Sequence, residues 1–180
     1  MVGTVFDLLG DKENDITYSI GWALAESERF AAALLADLLG DTKPPPVDKV
    51  MLQEGISGAG FTDIELLADE GRVHIVIEAK RGYALPTVDQ LQRYAERSKV
   101  APTLLLVTAE APPEFIESKL PETVAGVPVA YRSWQQIDAL AHRAVAERCG
   151  HAEKRLLREL SRYLRGLMTM QNVRSNLVYV

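Results

Sequence analysis

Residues 61–80 read Phe61-Thr62-Asp63-Ile64-Glu65-Leu66-Leu67-Ala68-Asp69-Glu70-Gly71-Arg72-Val73-His74-Ile75-Val76-Ile77-Glu78-Ala79-Lys80. Two apolar runs, 61–68 and 72–80, flank a turn-forming Asp69-Glu70-Gly71-Arg72, which is the pattern of a β-hairpin. Side chains alternate along a strand, so Val73, Ile75, Ile77 and Ala79 share one face and His74, Val76, Glu78 and Lys80 the other. In the preceding strand Asp63 and Glu65 oppose Ile64 and Leu66. A two-residue or a four-residue loop gives the same register, with Ala68 opposite Val73 and Asp63 opposite Glu78. Directly opposed side chains have Cβ atoms about 5 Å apart, and like charges there are destabilising. Two carboxylates beside a lysine therefore predict a bound cation or a raised pKa, and hard cations such as Mg²⁺ take such oxygen ligands. A solvated charged face on an edge hairpin is the competing reading. Against it stand the otherwise apolar strands and the Arg81-Gly82 loop that follows Lys80.

Outward from the hairpin, residues 15–39 carry helical apolar spacing, with Ser27 as a cap that splits the segment and Gly40 as its end. The Pro44-Pro45-Pro46 link leads to a strand over 47–56. Pro86 opens a helix to 98, and 103–107, TLLLV, reads as a central strand buried on both faces. A short helix over 112–120 and a strand over 127–131 follow. Ser133 caps a helix to 149, and 152–170 is a further helix. This order predicts an α/β fold in which helices cover both faces of a central mixed sheet. The domain division expected is a core over 1–149 and a basic helical extension with a terminal strand over 150–180.

The chain has 180 residues, 20 basic against 25 acidic, for a formal charge of −5, with 47% hydrophobic residues. That mix excludes disordered, collagenous and coiled-coil classes, and the length suits one domain. Charge is unevenly spread: residues 142–180 hold 8 basic and 3 acidic side chains, so the last quarter is basic. The single cysteine, Cys149, excludes an intramolecular disulfide and predicts a reducing, cytoplasmic setting. No apolar run reaches membrane-spanning length and the first residues do not read as a signal peptide, so no membrane partner is expected.

Other chemistry-bearing residues rank lower. His74 lies two pleats from Glu78 and reads as a packed or partly exposed histidine. His142 and His151 have no partner at zinc spacing. Cys149, with no nearby base, reads as an inert thiol. The glycine-rich GISGAG at 55–60 lacks the ending of a phosphate loop and precedes a strand.

Asp63, followed after the hairpin by Glu78-Ala79-Lys80, resembles the signature of the PD-(D/E)xK nuclease superfamily, the restriction-endonuclease-like fold. Gln90-Leu91-Gln92-Arg93-Tyr94 resembles the Gln-x-x-x-Tyr helix of many members, and Glu13-Asn14-Asp15-Ile16-Thr17 the acidic start of their first helix. The resemblance spans about residues 13–131 in the expected element order; Thr62 stands where many members have proline. It implies a three-layer α/β/α core and Mg²⁺-dependent hydrolysis of DNA, RNA being the less expected substrate, with Mn²⁺ as a substitute metal. Implied metal ligands are Glu13, Asp63, Glu78 and the Ala79 carbonyl, with Asp15, Glu26 and Glu28 competing for the place of Glu13. A carboxylate complementing the positive end of the helix is the other reading of Glu13.

In the resembling sites Lys80 orients the attacking water or stabilises developing charge, and Gln90 positions the lysine or a phosphate. Gln90 as a plain surface glutamine is the alternative, and Tyr94 is expected to pack with its hydroxyl satisfied. Defence and repair are both common uses of such cores. The rival reading is a catalytically silent nuclease-like fold that binds nucleic acid or serves assembly. Arg155, Arg158, Arg162 and Arg165 lie on one helical face; they read as a solvated basic face or, in a nuclease, as a phosphate-contacting stripe. Residues 175–180 look like a strand, expected either to join a sheet edge here or in a second copy as a homodimer, or to open a further domain of a longer chain.

Overall fold

The hairpin forms in the expected register. Strand β4, Ile64–Ala68, pairs antiparallel with β5, Val73–Ala79, with Ile64 opposite Ile77 and Ala68 opposite Val73. The four turn residues hold left-handed backbone at Asp69, Glu70 and Gly71, with φ of 55°, 56° and 78°. This local cost is met by hydrogen bonds from Arg72 N to Asp69 O and from Gly71 N to the Asp48 carboxylate. The computed structural model describes residues 3–53, 55–56, 60–96, 102–116, 118–146 and 150–177; Cys149 lies outside them.

Two helices precede the hairpin. Helix α1, Glu13–Glu26, and α2, Glu28–Leu39, meet at Ser27, whose hydroxyl accepts the Phe30 amide as an N-cap. Gly40 ends α2 in the left-handed conformation, φ 66°. Strand β1, Val47–Leu52, is shorter than expected. Gly55–Ile56 (β2) and Gly60–Phe61 (β3) form a separate two-stranded ribbon, so the strands expected over 47–56 and 61–68 are each broken.

Beyond the hairpin come α3, Val88–Glu96; β6, Leu104–Ala109; α4, Pro113–Ile116; β7, Thr123–Val124; and β8, Val127–Ser133. Helix α5, Trp134–Ala146, starts at a reciprocal cap: Ser133 Oγ accepts from Gln136 N, and Gln136 Oε1 accepts from Ser133 N. The main sheet has six strands in the order β1-β4-β5-β6-β8-β7. It is mixed: β5, β6 and β8 run parallel, while β4 and β7 run against their neighbours.

The sheet separates two apolar layers. On one face Ile64, Leu66, Ile75, Ile77 and Leu106 meet buried residues of α1, α2, α5 and a last helix, α6, His151–Leu177. On the other, Val76, Leu105 and Val107 pack with Leu91, Tyr94 and Ala95 of α3 and with Val124 and Val127. Strand β6 feeds both layers, as a run of consecutive apolar residues requires. The chain is thus an α/β fold with a six-stranded mixed open sheet and helices on both of its faces, thick on one side and thin on the other.

Helix α6 does not depart from this core. Leu157, Leu160, Tyr163, Leu164 and Leu167 are all buried in the larger layer, and Tyr163 donates to Gly10 O at 2.8 Å. The helix also continues through Leu177, so the strand expected over 175–180 is helical at residues 175–177, and 178–180 lie outside the described residues. Extending a helix satisfies each new backbone group within the same segment, whereas a strand needs a free edge to pair with.

Candidate active site

The site is built at the carboxyl end of β5, in the middle of the sheet. Glu78 is only 3% exposed, in contrast to the solvated charged face that competed for this stretch. Its strand neighbours, β4 and β6, fix its direction, and α3 covers it. Tyr94 donates its hydroxyl to Glu78 Oε2 at 2.7 Å, and Gln90 donates Nε2 to Glu78 Oε1 at 2.6 Å and to the Tyr94 hydroxyl at 2.8 Å. Residues four apart on a helix share a face, which is how Gln90 and Tyr94 reach one carboxylate. Gln90 therefore holds Glu78; its amide is not bonded to Lys80. Tyr94 does more than pack: burial and the nearby Glu78 charge raise its pKa, so it remains a donor.

Lys80, two residues on and on the same face, bridges two acids. Its Nζ lies 2.6 Å from Glu78 Oε1 and 2.9 Å from Glu13 Oε1. Burial alone pulls the ammonium pKa down, but the hydrogen bonds from Lys80 to Glu78 and Glu13 outweigh that and leave it raised. Lys80 is therefore a fixed cation in this arrangement.

Glu13 is the acid of the first helices that reaches the site, accepting also from Arg81 N at 3.3 Å. Asp15, by contrast, caps its own helix through Lys12 N at 2.8 Å, and Glu26 and Glu28 are exposed at the helix junction. Arg81, which the motif did not single out, fastens this corner by binding the Asp11 carbonyl and carboxylate. Its signal in the sequence is only its place directly after Lys80.

Asp63 sits just beyond the last paired residues of the hairpin. Its Oδ2 accepts the Ala79 amide at 2.8 Å. Burial first, and then the charge of Glu78, push its carboxyl up to about 7, against the opposing effects of the Ala79 amide and Lys80. Asp63, Glu78, Lys80, Gln90 and Glu13 are thus one connected cluster, with Ala79 joined to it through its amide. Glu65, on the Asp63 face, goes elsewhere: His74 is buried and its Nε2 lies 2.9 Å from Glu65 Oε2.

The donor set suits a hard divalent cation. Asp63 and Glu78 are carboxylates held near each other under mutual repulsion, and a cation would relieve the repulsion that now favours a proton on Asp63. Among the described residues no three His, Cys, Asp or Glu side chains already converge as a metal cage. Mg²⁺ commonly uses one or two carboxylates and keeps several waters.

The arginines of α6 lie apart from this cluster. Arg155, Arg158, Arg162 and Arg165 are exposed on the helix face opposite its buried leucines. Arg155 and Arg158 line a shallow depression with His151, Lys154, Glu159 and Arg162. Arg162 pairs with Glu159 at 3.4 Å, and Arg165 donates to Asp138 at 2.8 Å. No helix among the described residues is long and apolar enough to cross a membrane. No family model, curated protein or solved structure matches the chain.

Proposed function

We propose that the protein is a metal-dependent phosphodiester hydrolase of DNA, with the restriction-endonuclease-like architecture that its motif resembles. The observation that carries this reading is the cluster at the end of β5: Asp63 bonded to the Ala79 amide next to Glu78, with Lys80 bonded to Glu78 and Glu13. Asp63, Glu78 and Glu13 would hold Mg²⁺, with the Ala79 carbonyl as a further oxygen. The bound ion supplies a water of lowered pKa and offsets charge on the phosphate.

The rest is the work of the side chains. Asp63 must lose its proton to serve as a ligand, so metal binding should release a proton and weaken as pH falls below its raised, metal-free pKa of about 7. Gln90 and Tyr94 fix the Glu78 carboxylate in one rotamer, which preorganises it. Lys80 carries a permanent positive charge to the place where negative charge develops on the phosphate, the role of an oxyanion-stabilising group.

The test is cleavage of supercoiled plasmid and of single-stranded circular DNA by the purified protein with Mg²⁺ or Mn²⁺ and with EDTA. Metal-dependent nicking or linearisation is expected. Asp63→Ala should abolish it and weaken Mn²⁺ binding measured by calorimetry. Lys80→Ala should slow it by a factor of about 10² or more while leaving Mn²⁺ binding in place. Both DNAs left intact with every divalent metal, or Mn²⁺ affinity unchanged in Asp63→Ala, defeats the proposal.

A further inference from the structure

Three residues past Lys80 the chain presents an aromatic side chain to solvent. Tyr83 is 57% exposed, although large rings are ordinarily covered. Its ring leans on Phe115 of α4, centroids 4.8 Å apart at 51°. Lys119, just after that helix, places Nζ 3.0 Å from the Phe115 centroid, a cation–π contact. The loop beneath is fastened: Ala84 N bonds Arg81 O at 3.3 Å, Glu110 N bonds Gly82 O at 3.2 Å, and Gly82 takes a left-handed φ of 63° that favours glycine. Tyr83 is thus an exposed ring on a braced support, with the cationic Lys119 on the far side of Phe115.

We propose that Tyr83, backed by Phe115 and Lys119, is a stacking platform for an unpaired base, and that the substrate is single-stranded DNA or a single-stranded end. This deepens the nuclease reading and rests on it for the identity of the substrate. Three residues of chain span at most about 11 Å, so the platform lies beside the candidate site. A base next to a phosphate held at Lys80 can reach the Tyr83 ring only if it is unstacked from its neighbours and unpaired. Sequence-tolerant binding of single strands uses this combination of an aromatic face and a nearby cation. In a continuous duplex the bases are turned inward and the ring has nothing to stack on.

The test separates binding from cleavage. Anisotropy of a fluorescent single-stranded oligonucleotide and of the matching duplex is measured in EDTA with the wild type, Tyr83→Ala and Tyr83→Phe. The wild type should prefer the single strand. Tyr83→Ala should weaken single-strand binding roughly 5- to 150-fold, the range for loss of one stacked base, with duplex binding unchanged. Tyr83→Phe should keep most of the affinity. A single strand carrying 5-iodouracil, irradiated on the wild-type protein, should cross-link at Tyr83 when mapped by mass spectrometry. Equal binding of single strand and duplex, no loss in Tyr83→Ala, or a cross-link elsewhere overturns the platform. Binding with these signatures but no cleavage in any divalent metal defeats the nuclease reading and leaves the platform standing. Cleavage with no effect of Tyr83→Ala on single-strand binding does the reverse.

Discussion

Asp63 links the stability of the fold to pH. Its carboxyl ionises near 3.8 in an ordinary setting and near 7 here, chiefly through burial. The native state therefore holds a proton between these values that the unfolded chain has released. The contribution to stability is fully present below about 3.8, declines as pH rises and is gone above about 7. In metal-free buffer, denaturation midpoints should fall between pH 4.5 and 7.5, and Asp63→Asn should flatten that decline. With Mn²⁺ present the trend should reverse, because metal and proton compete for one carboxylate. Titrations with urea at several pH values, with and without metal, check both slopes. The nearness of Asp63, Glu78 and Lys80 was legible because strand alternation and hairpin register are set by local chemistry. The Gln90 amide on Glu78 was not, because a side chain's partner depends on where α3 docks, and that is settled by tertiary packing.

Among the elements, α1 lies close against the sheet at Gly21. A methyl group built there would overlap the Leu52 side chain of β1 and press on Ile64 of β4. Gly21→Val should therefore destabilise the protein by about 1–3 kcal/mol, the usual cost of overpacking, against which the gain in helix propensity is only a few tenths of a kcal/mol. A urea midpoint shift at constant m-value would show it. Elements with a clear periodicity were read well: the Ser27 break between α1 and α2, the doubly buried β6 and the Ser133 cap of α5 all follow local rules. The two-residue strands β2, β3 and β7 are too short to leave a period. The apolar residues near 175–180 have strand-like composition, but α6 continues as helix through Leu177.

At the scale of the whole molecule the thick layer joins distant parts of the chain. Phe6, α1, α2, the sheet, α5 and α6 share one apolar core, so they should unfold together. Leu160→Ala, at a fully buried position of α6, should cost about 2–5 kcal/mol. Circular dichroism and tryptophan fluorescence, the latter dominated by buried Trp134 and half-exposed Trp22, should report one coincident transition. Two separated transitions would show that α6 is an independent unit. The basic last quarter of the sequence suggested an appendage because charge is conspicuous in a linear reading. The leucines on the opposite face of the same helix decided its place, since burial of that stripe outweighs the exposure of the arginines.

The ties between the first and last described elements also set a schedule for assembly. Val5 N and Gly10 O are bonded to Glu159 and Tyr163 of α6, just ahead of the helix whose first residue, Glu13, meets Lys80. Closing so long a loop adds little to the entropy per residue, but it must wait for the ribosome to release α6, the last of the described elements to be made. Until then a nascent chain can fold the hairpin next to Asp63 and Lys80, but the segment leading to Glu13 lacks its anchors on α6. The corner that holds the acidic cluster is fully braced only once α6 has emerged, so a shorter nascent polypeptide carries it without that support.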